Sequence, residues 1–196
     1  MDIPALVTLA FVASITPGPN NLMLLASGMN HGIRPTLPHL AGVSLGFGFL
    51  IFVVALGLGA VFERNESIEL VLSLLGGTYL TYLAWKIFNT SSLANNSHET
   101  ASPMTFLQAV LFQWVNPKAW VMATTATSTL LVSTGSVAAG SAALTFGFWM
   151  VNLPCISTWM FSGALAARWV DDEPRVRIFN RTLGVLLAGT VVLLLA

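Results

Sequence analysis

Charge is what this sequence has least of. Asp, Glu, Lys and Arg together make up 8% of its 196 residues, against roughly a quarter of an ordinary soluble domain. The apolar set reaches 55%, so there is too little polar surface to dress a water-soluble globule, and the solvent for most of the chain is lipid. The only cysteine, Cys155, excludes an intrachain disulfide. Cys/His clusters with metal-ligand spacing, HExxH, GxSxG and phosphate-loop patterns are all missing, as are paired carboxylates and a nucleophile with its base. The chain is therefore read as a non-enzyme with no cofactor and no metal. Eight basic residues balance eight acidic ones, which leaves no basic footprint for nucleic acid and no polybasic lipid patch.

What is present is apolar sequence in long runs. A bilayer core about 30 Å thick takes roughly 20 residues of helix, so this length holds about six spans with short connections. Runs and their punctuation place the spans at 3–27, 37–61, 68–88, 105–132, 136–167 and 178–196. The connections are then 28–36, 62–67, 89–104, 133–135 and 168–177, with 89–104 as the central linker. The first run follows Met1-Asp2 without a basic leader region and is too long for a simple signal core, so it reads as an uncleaved span.

Arginine and lysine fall unevenly on these connections. Arg34, Lys86, Arg168, Arg175, Arg177 and Arg181 lie on or beside the first, third and fifth, whereas the second holds Arg64 alone and the fourth none. The positive-inside rule then puts the odd connections in the cytoplasm and both termini outside. Cutting at the linker leaves three spans on each side, and an odd number inserts the second half in the opposite sense. The expected fold is an all-α membrane protein of two inverted three-helix repeats, 1–88 and 105–196. Such repeats place a substrate site at discontinuous helices in matching positions.

The helix breakers satisfy that expectation. In the first span, Thr16-Pro17-Gly18-Pro19-Asn20-Asn21 interrupts apolar sequence, and each proline deletes a backbone donor and clashes with the preceding turn. In the fourth span, Asn116-Pro117-Lys118 lies at about the same distance from the span's start. A proline inside a helix costs about 3 kcal/mol, and a lysine at mid-membrane adds about 2.5 to 3.5 kcal/mol on insertion scales. Asn152-Leu153-Pro154 repeats the pairing of an amide with a proline midway along the fifth span, where Pro154 by itself reads as a kink. Thr16, Pro17, Gly18, Pro19, Asn20, Asn21, Asn116, Pro117, Lys118, Asn152 and Pro154 form the candidate substrate site. Half-helix N-termini and Lys118 suit a carboxylate, while freed carbonyls and Asn oxygens suit an ammonium group, so the set fits a small amino acid.

At these residues the sequence resembles the LysE/RhtB family of bacterial amino-acid exporters. The resemblance rests on the TPGPNN run at Thr16 to Asn21, on His31-Gly32-Ile33-Arg34 and on Leu40-Ala41-Gly42-Val43-Ser44-Leu45-Gly46. It continues through Gly77-Thr78-Tyr79-Leu80 to Ala84-Trp85-Lys86 and ends on Asn116-Pro117-Lys118. It implies six spans in the inner membrane and efflux of amino acids or close metabolites, driven by the proton gradient. The stretch from TPGPNN onward is similar to exporters of cysteine and O-acetylserine, and homoserine, threonine and leucine exporters share the same core. No Asp or Glu lies deep in any span, so a carboxylate proton carrier is not evident.

Other residues read more plainly. His39 is expected as an interfacial or packing histidine ahead of a proton relay. Gly42 and Gly46, with Gly48, Gly57 and Gly59, have the spacing that lets helices approach closely, and such faces suit a homodimer. The six tryptophans are expected as interface anchors or core filling. Asp171, Asp172 and Glu173 beside Arg175, Arg177 and Arg181 read as a loop that sets topology and partly neutralises itself, ahead of a gate. A passive channel and an assembly subunit are the rival functions.

Overall fold

A computed structural model describes residues 2–60, 65–90, 102–131, 136–170 and 172–195. Most of the expected central linker lies outside the described residues, as do Arg64, Asp171, the connection at 133–135 and the ends of the second, fourth and sixth spans at 61, 132 and 196. Every regular element among the described residues is helical. In chain order these are α1 (Ile3–Ile15), α2 (Pro19–His31), α3 (Ile33–Val53), α4 (Glu66–Phe88), α5 (Phe106–Val115), α6 (Pro117–Leu130), α7 (Val137–Ala166) and α8 (Glu173–Leu195). A wide π-type turn, Val54–Leu58, continues α3.

Among the described residues, three elements are long and apolar enough to cross a membrane alone: α3 with its π turn, the Leu70–Phe88 part of α4, and α7. α1 and α2 reach that length only as a pair bent by 57° at their break, the geometry of a broken span or of a re-entrant loop. α5, α6 and α8 stand where the fourth and sixth spans were expected. Both expected interruptions are real. Thr16, Pro17 and Gly18 separate α1 from α2, and Asn116, in extended backbone at φ −90 and ψ 107, separates α5 from α6.

Two boundaries differ from expectation for physical reasons. The first connection shrinks to Gly32, because α2 runs on to His31 and Gly32 turns the chain at φ +76, a conformation glycine adopts without strain. α8 starts at Glu173, not 178, because the Asp172 carboxylate accepts from the Arg175 N–H at 2.8 Å and caps it. The ion pairs Arg175–Asp172 (3.1 Å) and Arg177–Glu173 (2.6 Å) are thus local to that helix start. α7 passes unbroken through Pro154, which was read as a kink and which faces outward within a continuous helix.

Apolar side chains fill the core and also cover the outer surface, and several amides are buried. Phe11, Phe49, Phe146, Leu165 and Leu186 are exposed, whereas Asn21, Asn30, His39, Gln113, Asn116, Asn152 and Asn180 are buried. Glycines set the tightest helix contacts. α2 meets α7 where a Cβ on Gly28 would lie 2.1 Å from the Met160 carbonyl oxygen and one on Gly163 would lie 2.0 Å from that of Leu25. Gly42 and Gly46 press α3 onto α5, Gly76 presses α4 onto Val115, and Gly184 presses α8 onto α4. The glycines that suited a homodimer are largely engaged within the chain, and Gly57 serves a different purpose: it holds φ +120 in the π turn with open space around it. Gly163→Val is expected to destabilise the protein by about 1–3 kcal/mol through overpacking, visible as a lower unfolding midpoint in detergent. Gly189→Ala, with no neighbour within 4 Å of its added carbon, should leave that midpoint unchanged; equal midpoints would refute the tight α2–α7 contact.

Candidate functional site

The chemistry of the site begins with the groups a broken helix sets free. The end of α1 leaves carbonyls without intrahelical partners, and the starts of α2 and α6 leave N–H groups in the same position. In lipid these must find partners inside the protein. The carbonyls are answered by side chains. Asn21 Nδ2 donates to the Ser14 and Thr16 carbonyl oxygens, both at 2.8 Å. Lys118 Nζ, from the first turn of α6, donates to the Thr16 carbonyl oxygen and Thr16 Oγ1 at 2.8 Å and to the Pro17 carbonyl oxygen at 3.3 Å. A cation at a helix C-terminus also meets the negative end of the helix dipole. Lys118 therefore closes the first break from the second.

The N–H groups are treated differently. α2 and α6 each open with a proline at their first position, Pro19 and Pro117, and neither N-terminus is capped by a side chain. Proline there removes one orphan donor and pre-sets the helical φ; the Ala119 N–H donates to the Asn116 carbonyl oxygen at 3.0 Å, which leaves the N–H groups of Asn20 and Asn21 at one start and of Lys118 at the other. The two starts approach each other: a Cβ on Gly18 would lie 2.7 Å from Lys118 Cδ. Glycine at 18 is what lets the lysine stem cross.

Amides fasten the surrounding helices. Asn20 and Gln113 bond reciprocally, with Asn20 Nδ2 donating to Gln113 Oε1 at 2.8 Å and Gln113 Nε2 to Asn20 Oδ1 at 3.2 Å. Asn152 Nδ2 donates to Ser14 Oγ at 2.9 Å, which joins α7 to α1. Two acceptors are left over: the buried Oδ1 atoms of Asn116 and Asn152 have no partner. A buried acceptor left unpaired costs about 1–3 kcal/mol. Both asparagines line a cavity of about 30 Å³, together with Ser14, Gly18, Asn20, Asn21 and Lys118.

Of the residues expected in the site, Gly18, Asn20, Asn21, Asn116, Lys118 and Asn152 converge on this cavity. Thr16 and Pro17 act through their oxygens at its edge, Pro19 and Pro117 open the two helices, and Pro154 is exposed on α7, outside the lining. Ser14, Gln113 and Trp120 are contributors that sequence reading missed. Trp120 Nε1 donates to the Trp114 carbonyl oxygen at 2.9 Å and so covers a carbonyl freed at the end of α5. The available signal was a glutamine inside an apolar run, one turn ahead of Asn116.

Residues 11–196 match the family of LysE type translocators. The chain belongs to the LysE family. That family consists of translocators, not enzymes, and with its long apolar helices this LysE-family chain is a multi-pass membrane protein. It is 32% identical over 130 residues to a Klebsiella pneumoniae protein named cysteine/O-acetylserine efflux protein, covering 66% of this chain and 65% of that one. Proteins of the same name are 34% identical over 128 residues in Escherichia coli K12, covering 64% and 63%, and 34% identical over 135 residues in Salmonella choleraesuis, covering 67% of each. The matched segments thus span about two thirds of these relatives' lengths. No solved structure matches the chain.

The amide pair that joins the two breaks of this LysE-family protein is directly testable. Gln113→Leu should cost about 1–3 kcal/mol by stranding the Asn20 amide, and adding Asn20→Leu should recover part of that loss, a coupling of about 0.5–3 kcal/mol. Denaturant unfolding of the single and double variants measures it, and strictly additive losses would show that the pair does not exist.

Proposed function

We propose that this chain exports small amino acids or close metabolites from the cytoplasm across the bacterial inner membrane as a secondary active transporter. Cysteine and O-acetylserine are the first candidate substrates; threonine, homoserine and leucine are the next. One observation carries this: a single cavity joins two uncapped half-helix N-termini, which offer N–H donors, to two buried amide oxygens with nothing to accept from. Donors suit a carboxylate and acceptors suit an ammonium group, and a zwitterion supplies both. The similarity to the cysteine/O-acetylserine efflux proteins points the same way.

The proposed architecture is six spans in two inverted repeats, 1–88 and 105–196, so that α1, α2, α3 and α4 correspond to α5, α6, α7 and α8. In support, α3 packs on α7 and α4 on α8, as elements related by a two-fold would, and the α1–α7 contact has its image in α5–α3. Both termini are proposed outside. The connections rich in Arg and Lys share one end of the bundle, where Asn180 Nδ2 donates to Asn30 Oδ1 (2.8 Å) and the Thr90 carbonyl oxygen (3.0 Å), and Arg181 lies 5.4 Å from the Phe88 ring centroid.

A cavity of about 30 Å³ has room for about one water molecule, so substrate enters only when the half-helices part. Lys118 provides the trigger. Its three donors hold the Thr16 and Pro17 oxygens, and an arriving carboxylate competes for the same ammonium. Taking it would release the end of α1, which ties occupancy to opening. Protons are the proposed coupling ion.

An efflux panel of cysteine, O-acetylserine, threonine, homoserine and leucine in overproducing cells tests the function. Export of at least one, abolished by Lys118→Ala at equal membrane abundance, is expected. Uptake into everted vesicles should collapse with an uncoupler. Wild-type efflux by Lys118→Ala would remove the site, and uncoupler-resistant accumulation would remove proton coupling.

A further inference from the structure

A second polar cavity, of about 70 Å³, lies toward the other end of α2, at the bundle end where the Arg- and Lys-rich connections meet. Ser27, Asn30 and His39 line its buried part, and His31, Lys86 and Thr90, all partly exposed, line its outer part. His39 was expected at an interface or in packing; it is completely buried. Its Nδ1 lies 3.1 Å from Ser27 Oγ, and its Nε2 has no partner.

The serine occupies Nδ1, and Nε2 is left as the ring nitrogen without a partner, an atom that can carry the ring proton. His39 thus brings an unmatched polar atom to the wall of a cavity whose outer part carries the Lys86 ammonium. Asn30 adds no demand for a ligand, since its amide is matched reciprocally with Asn180 at 2.8 Å in both directions. What the cavity offers a carboxylate is the Lys86 charge, the unmatched imidazole nitrogen and the Ser27 hydroxyl.

Apolar packing separates this cavity from the site at the helix breaks. Leu24, Leu40, Val43, Ala109, Ile156 and Met160 form one buried cluster with Met104 packed on it. Val43 and Ile156 line the first cavity, and Met104 lines the second. α2 serves both, with Asn21 at one and Ser27 at the other, about 9 Å apart at 1.5 Å per residue.

We propose that the cavity at Ser27, His39 and Lys86 is a second binding site for the carboxylate of the transported amino acid. It is occupied before the substrate passes the apolar layer to the Lys118 site. This rests on the export reading above and adds to it a two-station path. The chamber that carries Lys86 and the unmatched His39 nitrogen collects the anionic group at the cytoplasmic end, and the apolar layer lies between it and the Lys118 site.

Equilibrium binding of labelled O-acetylserine to the purified protein in detergent tests the proposal. The wild type should bind two molecules per chain, and His39→Ala and Lys118→Ala should bind one each. One molecule per chain in the wild type, lost with Lys118→Ala and kept with His39→Ala, overturns the second site and leaves the export reading standing. No binding to any of the three overturns both. Because His39→Ala also removes a packed ring, a second measurement uses Thr90→Cys in a Cys155→Ala background. O-acetylserine should slow maleimide labelling of that thiol in the Lys118→Ala protein, which retains only the outer site, and an unchanged labelling rate counts against the proposal.

Discussion

A helix broken inside a membrane exposes carbonyl oxygens and N–H groups where no water can bond them, and in this chain the Lys118 ammonium answers the carbonyl half. It reaches from the first turn of α6 to the Thr16 and Pro17 oxygens at the end of α1. A lysine among apolar helices and an interrupted helix thereby offset each other's cost. The rest of the site depends on this contact. It requires glycine at 18 for the lysine stem to pass, and it draws the start of α6 against the start of α2. The unpaired oxygens belong to Asn116 and Asn152, which line the same cavity as Gly18 and Lys118.

Around that contact the bundle is held by backbone proximity and amide pairs beside three buried apolar clusters, with further apolar side chains on the outer surface. Lipid tails offer no hydrophobic drive for one helix to pack on another, so close approach through small residues and buried hydrogen bonds carry the association. Gly28 with Gly163 fastens α2 to α7, Asn20 with Gln113 fastens α2 to α5, and Asn30 with Asn180 fastens α2 to α8. All three meet on α2, the half-helix that begins at one polar cavity and passes the other. Gly32 and Gly57, the two residues at positive φ among those described, lie beyond its C-terminus and in the π turn of the next span. The chain therefore concentrates its specific contacts on one short element and places backbone freedom outside it.

Much of this was legible in the amino-acid order. The breaks at Thr16 to Pro19 and at Asn116-Pro117 follow from proline chemistry, and helices duly end and restart there. Pro154 obeyed a different balance. In a 30-residue helix with its flanks packed, one missing N–H on the outer face does not end the element. Gly32 and the Asp172 cap were readable in kind, but their effect on boundaries depended on how far α2 and α8 continue beyond the apolar run. His39 was expected at an interface or in packing, and what packs over it decides for packing.

The sequence by itself determined the solvent, the helical class, the two interruptions and the residue types of a site that can meet a zwitterion. Each follows from local rules: too few charges for water, prolines that cannot continue a helix, and amides and a lysine too costly in lipid without a purpose. Tertiary structure decided which partners these residues take. That Lys118 caps the end of α1, that Gln113 meets Asn20 across 93 positions, and that His39 is buried beside a second cavity with one ring nitrogen unpartnered are facts of packing between distant segments. No local propensity encodes them, because they depend on which helix faces lie in contact once the whole bundle is assembled.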